Sequence, residues 1–131
     1  MKNLILLPLI LMFSINMYSQ GLGLTIKEIH EQRQGERYID DTTSRGYKYN
    51  EYKCLENYLC TATTYVFNNR DETILVMDLF DLGHLPETMK YLNNKTIYTS
   101  NFIWVDEKES QLITIKLNSE DKEFVVIYTR L

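Results

Sequence analysis

The sequence predicts an α+β protein. It reads as a two-layer sandwich in which an antiparallel sheet of about six strands carries two short helices on one face, in the order α-β-β-β-α-β-β-β, behind a signal peptide. Three observations point there. Several segments of five to nine residues are rich in β-branched and aromatic side chains and alternate in polarity, the pattern of strands. Two short stretches carry helix-start signals instead. The last third holds three strand-like runs joined by short polar turns, which reads as a meander.

The chain of 131 residues opens on a leader. Lys2 is followed by an apolar run from Leu4 to Phe13, and Ser14, Asn16, Ser19 and Gln20 end it. A basic start, a short apolar stretch and a polar exit with small residues describe a secretory signal peptide over 1–20. The run is too short for a membrane span, which needs about 20 residues. Cleavage is expected between 19 and 22, leaving residues 21–131 as one small domain without stable membrane insertion. No cysteine precedes Cys54, so nothing near the cleavage point can take a lipid.

The first helix starts at Thr25. Thr25 and Glu28 form a Thr-x-x-Glu capping box, and Leu24 and Ile29 stand at the positions of a hydrophobic staple. Ile26, Ile29 and Arg33 share a face, and Gly35 is the stop. Residues 36–46 are polar and read as turn. Strands follow at 47–54, 61–67 and 73–80. In the last of these Leu75, Met77 and Leu79 lie on one face and Ile74, Val76 and Phe80 on the other, which suggests a central strand covered on both sides. Pro86 at a first helical position opens the second helix, with Leu85, Met89 and Leu92 on one face and Asn93-Asn94 closing it. The meander runs through 97–105, 111–117 and 123–129. Each half thus begins with a short helix behind a leucine (Leu24, Leu85), an arrangement consistent with an internal duplication. The element order resembles that of the two-repeat β-lactamase-inhibitor proteins. The likeness is one of order alone; no motif residue carries it, and it transfers neither site nor activity.

Cys54 and Cys60 are the two cysteines. An even number in an exported chain suggests a bridge. Five intervening residues would hold the Cα atoms ~20 Å apart in a continuous strand and roughly 9 Å apart in a helix. Both exceed the ~7 Å that a disulfide spans. A bridge therefore requires a turn, with Glu56-Asn57 at its centre, and closing so short a loop would add about 2 kcal/mol. Cys-x₅-Cys is not the redox spacing Cys-x-x-Cys, so the bridge is expected to be structural.

Chemistry-bearing motifs are scarce. Asp78, Asp81 and His84 form Asp-x₂-Asp-x₂-His, which matches no standard metal site and reads as a turn with a helix entry. His30 belongs at the boundary of the first helix. No nucleophile elbow, phosphate loop or His-Glu-x-x-His occurs. Asn94-Lys95-Thr96 matches the glycosylation sequon. No catalytic residue, metal or cofactor is expected. A formal charge of −4, or −5 without Lys2, argues against nucleic acid as a partner.

Aromatic content is the compositional oddity: nine of the ten tyrosines lie after the leader. Tyr47, Tyr49, Tyr52 and Tyr58 crowd the cysteine hairpin, and tyrosine is favoured at interfaces. These four are the candidate binding residues, set against cross-strand packing inside the sandwich. The functional expectation is a secreted or periplasmic, non-enzymatic module that recognises another macromolecule, a protein in the envelope or outside the cell. The alternatives are an apolar-ligand binder with a pocket between helices and sheet, and a hydrolase using Asp81 and His84.

Overall fold

The computed structural model describes residues 21–54 and 60–131. The expected signal peptide at 1–20, the turn at Glu56-Asn57 and Tyr58 lie outside them. The elements are α1 (Ile26–Gln32), β1 (Tyr38–Thr42), β2 (Lys48–Lys53), β3 (Cys60–Phe67) and β4 (Thr73–Asp81). A 3₁₀ turn (Leu82–His84) leads to α2 (Leu85–Lys95), β5 (Ile97–Ser100), β6 (Ile103–Asp106), β7 (Gln111–Asn118) and β8 (Glu123–Arg130). All eight strands form one open sheet in the order β1-β2-β3-β4-β8-β7-β6-β5, and every neighbouring pair is antiparallel.

Eight strands replace the six expected, for two physical reasons. β1 lies in the stretch read as turn, because all five of its residues are exposed and no buried alternation marks it. It is an edge strand, and Asp40 and Asp41 on it discourage edge-to-edge pairing. The segment 97–105 is two strands rather than one. Asn101 and Phe102 both take positive φ, 52° and 61°, the signature of a two-residue type I′ hairpin. Asn is favoured in that conformation; Phe is not, so the turn is hard to see in sequence. The Phe102 carbonyl accepts from the Ile115 amide at 3.0 Å, which continues the sheet ladder and holds the turn in place.

The two halves are topologically alike. Each is a helix followed by a four-stranded meander, and they meet where β4 pairs with β8, from Leu75↔Thr129 to Asp81↔Glu123. A two-fold axis normal to the sheet at that seam relates one half to the other.

Both helices cover the same face. The row Asn50, Tyr65, Val76, Tyr128, Ile113, Trp104 runs across six strands through paired residues, and paired residues project to one side. Ile29 of α1 packs on Tyr52, Tyr65, Phe67 and Val76. Leu92 of α2 packs on Trp104, Ile113, Ile115, Phe124 and Val126. Tyr128 touches both clusters and joins them.

The helix ends follow the local chemistry. The Thr25 hydroxyl accepts from the Glu28 amide at 3.2 Å, and the Glu28 carboxylate accepts from the Thr25 amide at 3.1 Å, completing the capping box. The same corner is tied to the start of β4: the Gly23 amide donates to the Thr73 carbonyl, and the Thr73 amide and hydroxyl both donate to the Leu24 carbonyl. α2 continues through Lys95, beyond the expected stop at Asn93-Asn94, because the Thr96 amide and hydroxyl both donate to the Leu92 carbonyl. Trp104 Nε1 donates to Asn93 Oδ1 at 2.8 Å and pins α2 to β6.

Replacing Phe102 with glycine relieves a left-handed backbone worth about 1–2 kcal/mol against a glycine entropy cost of roughly 0.5–1 kcal/mol. Its side chain is already 37% exposed. Urea unfolding of Phe102→Gly should therefore show a net gain of about 0.5–1 kcal/mol. A loss of stability would show that the ring packs more than its exposure indicates.

Candidate functional site

Three regions carry chemistry: a buried polar cluster under α1, the disulfide hairpin beside it, and the face of the sheet opposite the helices.

The cluster begins at Arg33, the C-cap of α1. Its Nε donates to the Tyr65 hydroxyl at 2.9 Å, and one terminal nitrogen donates to Glu36 at 3.0 Å. The guanidinium lies 4.8 Å from the Tyr52 ring centroid and 5.3 Å from that of Tyr65, close enough for cation–π attraction. Burial works against its charge, but Tyr65 and Glu36 outweigh burial and raise its pKa above the ordinary value. Rings run outward from there. Tyr65 meets Tyr52 edge-on, Tyr52 meets Tyr38 at 5.1 Å, and Tyr38 stacks on His30 at 4.7 Å. His30 Nε2 shares a hydrogen bond with Asn50 Oδ1, and Asn50 Nδ2 donates to Asp40. Tyr52 is 1% exposed, and its hydroxyl has no hydrogen-bond partner among the described residues. Burial pushes its pKa up to about 12.

Asp78 lies on the same face, in the middle of β4. Thr63 Oγ1 donates to Asp78 Oδ1 at 2.7 Å, and both residues are buried. Burial pushes the Asp78 carboxyl up to about 6, although the Thr63 hydrogen bond and the Arg33 charge both act to lower it.

Cys54 and Cys60 form a disulfide with their Cα atoms 5.8 Å apart. The Cys54 amide donates to the Thr61 carbonyl, so the hairpin between β2 and β3 runs up to the bridge. The expected bridge is thus formed.

The three candidate tyrosines among the described residues separate. Tyr47 is exposed just before β2, and Tyr49 is half-buried on the sheet face opposite the helices. Tyr52 is in the core on the helix face. Tyr58 lies outside the described residues. The three placed rings form no common patch. Asp78, Asp81 and His84 also separate: Asp78 is buried, Asp81 exposed, and His84 sits in the 3₁₀ turn. Among the described residues, no group of three acidic, histidine or cysteine side chains is disposed to hold a metal.

Sequence reasoning passed over Thr63 and gave Arg33 and Asp78 minor places. Asp78 was findable. It follows Val76 and precedes Phe80 at the core parity of an otherwise apolar strand, where a carboxylate is out of place.

The opposite face corrects a further expectation. β4 is central, but among the described residues both helices lie on one of its faces and nothing is laid on the other. Leu75, Met77 and Leu79 belong to neither core cluster and remain half-exposed. Across the pairing they continue into Ala62, Thr64 and Val66 on β3 and Val125, Ile127 and Thr129 on β8. Leu112 and Thr114 on β7, with Ile103 and Val105 on β6, extend the surface. Charges bound it at Glu51 and Lys53 on β2, at Lys116 on β7, and at the Asp81↔Glu123 pair that ends β4 and begins β8. Two surface depressions lie elsewhere. One is lined by Ile26, His30, Asp40, Asp41, Thr42, Lys48 and Asn50. The other is lined by Leu22, Glu109, Ser110, Gln111, Arg130 and Leu131. Neither is an apolar pocket between helix and sheet.

The fold and these surfaces define a class: an α+β sheet that, among the described residues, carries both helices on one face and a largely apolar, half-exposed stripe on the other. No protein-family profile matches the chain, and no curated protein and no solved structure resembles it significantly.

Asp78 has a consequence for stability. The folded carboxyl holds its proton up to about pH 6, whereas the unfolded chain releases it near its ordinary value of 3.8. Between those values the unfolded state binds fewer protons, so this group makes stability fall as pH rises. The full loss is roughly 3 kcal/mol and is complete above pH 6. Chemical denaturation from pH 4 to 7 should show that decline in the wild type and a flatter curve in Asp78→Asn. Parallel curves would mean that the carboxyl is not buried as described.

Proposed function

We propose that the chain is an extracytoplasmic binding module that recognises a protein through the open face of its sheet, without catalysis of a hydrolytic kind. The observation that carries this reading is the uncovered stripe Leu75, Met77, Leu79, Val125, Ile127 on the two central strands. A soluble protein seldom leaves a contiguous apolar surface of this kind in water unless something binds there. Central sheet positions are also rigid, so little conformational entropy is lost when a partner docks. Rim charges Glu51, Lys53 and Lys116 surround an apolar centre, the usual anatomy of a protein interface.

Export is supported by the leader-like residues 1–20 and by the Cys54–Cys60 disulfide, which belongs to an oxidising compartment. Among the described residues, no helix is long and apolar enough to cross a membrane. The candidate tyrosines enter this reading unequally. Tyr49 pairs with Val66 and flanks the stripe; Tyr52 acts from inside by fixing the sheet's other face.

The test is affinity capture from the envelope and culture medium of the producing cell. Wild type should retain a defined partner in stoichiometric amount. Met77→Asp and Ile127→Asp, each placing a charge at the centre of the stripe, should weaken that binding by at least ~100-fold, the loss of an interface hot spot. Both variants should keep the wild-type circular dichroism spectrum. Retention of the same partner by both folded variants would overturn the proposal.

A further inference from the structure

Asp78 has no part in the binding face. It sits at the centre of the sheet among Val76, Phe80 and Val126, and an apolar residue there would pack without an electrostatic cost. The groups facing it are accounted for. Arg33 is engaged by Tyr65 and Glu36, Tyr65 holds Arg33, and the Asp78 carboxylate itself accepts from Thr63. Its own ionic partner is missing among the described residues. What Asp78 does reach, through one hydroxyl, is sulfur. Thr63 Oγ1 lies 2.7 Å from Asp78 Oδ1 and 3.6 Å from Cys54 Sγ, and Cys54 and Cys60 are both only half-buried. A buried titratable group placed against a reactive one is the arrangement found where proton transfer is needed.

We propose that the Cys54–Cys60 bridge undergoes thiol–disulfide exchange, with Asp78 giving and taking the proton of the Cys54 sulfur through the Thr63 hydroxyl. In the reductive direction a thiolate of the partner attacks Cys60 Sγ. The Sγ–Sγ bond breaks, and its electron pair leaves on Cys54. The Cys54 thiolate takes the Thr63 hydroxyl proton as Thr63 takes one from the Asp78 carboxyl. A second thiolate of the co-reactant then attacks the co-reactant's own sulfur in the mixed disulfide, forming the co-reactant disulfide and expelling the Cys60 thiolate, which is protonated from water. The sum is one bridge and two partner thiols converted to two chain thiols and one partner disulfide. The co-reactant is a dithiol or two monothiols. In the oxidative direction the chain Cys54 S–H, Thr63 O–H, Asp78 carboxylate runs donor to acceptor at each step, so the carboxylate draws the proton off the attacking sulfur.

The spacing of the cysteines does not announce this chemistry; the side chains under them supply it. Because the leaving sulfur is the inner one, facing Thr63, attack falls on Cys60. This inference rests on the helix face of the sheet and stands apart from the binding surface on the other.

The experiment follows reduction of the purified oxidised chain by dithiothreitol from pH 4.5 to 8, with each rate divided by the thiolate concentration of the reagent. In the wild type the normalised rate should fall by ~100-fold as Asp78 loses its proton, the lower end of a general-acid effect. Asp78→Asn and Thr63→Val should both show a flat profile, and Thr63→Ser should restore the slope. Superimposable profiles in wild type, Asp78→Asn and Thr63→Val would overturn the proposal, as would a bridge that resists dithiothreitol until the protein unfolds. A purely structural effect of the substitutions would change the rates equally at every pH and leave the slope intact, which also counts against it. Loss of the slope with partner capture unchanged keeps the two proposals separable.

Discussion

The pairing of β4 with β8 is the constraint on which the rest of the structure depends. It joins residues some fifty positions apart in sequence and converts two four-stranded meanders into one sheet. Each half supplies the buried residues of its own cluster, and the seam joins the two. The α1 cluster ends at Val76 and the α2 cluster at Val126, both on the seam, and Tyr128 of β8 contacts both. Each helix is short, and α1 buries only Ile29 fully, so propensity cannot hold it. It is held by its capping box, by the backbone bonds from 23–24 to Thr73 at the start of β4, and by Arg33 on Tyr65. These anchors all lead back to the β3–β4 strands beside the seam.

One-sided coverage follows from the same architecture. Two helices of seven and eleven residues are all that the described chain lays on the sheet, and both go to the same face. The helix face collects the large rings and the few buried polar groups. The other face keeps medium-sized aliphatic residues, which cost little to hold flat. The side chains are thus partitioned into two chemically different faces of a single layer.

Much of this was legible in the sequence because it rests on local signals. The capping box, the staple, Pro86 at the start of α2, the alternation in β3, β4, β7 and β8, and the need for a turn between Cys54 and Cys60 depend on residues a few positions apart. The missing pieces depend on distant ones. β1 has no buried residue and is a strand only because β2 pairs with it. The turn at Asn101-Phe102 carries a residue that dislikes its conformation and is held by a bond to Ile115. The two-sided apolarity of β4 gave its central position correctly but not its bare face, because coverage is decided by where the helices fall. Of the candidate tyrosines, Tyr47, Tyr49 and Tyr52 do not lie together. Alternation sends Tyr49 and Tyr52 to opposite faces, and simple parity would have separated them.

The two-fold seam also bears on how such a chain arises and how it can err. β4 meets β8 antiparallel about an axis normal to the sheet, and a second β4 could meet β4 in the same way. The strand order of the whole sheet is therefore that of two like half-chains meeting edge to edge in one polypeptide. Fusion makes the two docking strands part of one molecule, so their encounter no longer depends on protein concentration. It also leaves a competing route during folding, in which the β4 of one chain captures the β8 of another. The connection through Leu82–His84 and α2 decides between the two outcomes: as long as it can return β8 to its own β4, the monomer closes, and if it opens out, the same strands tie two molecules together.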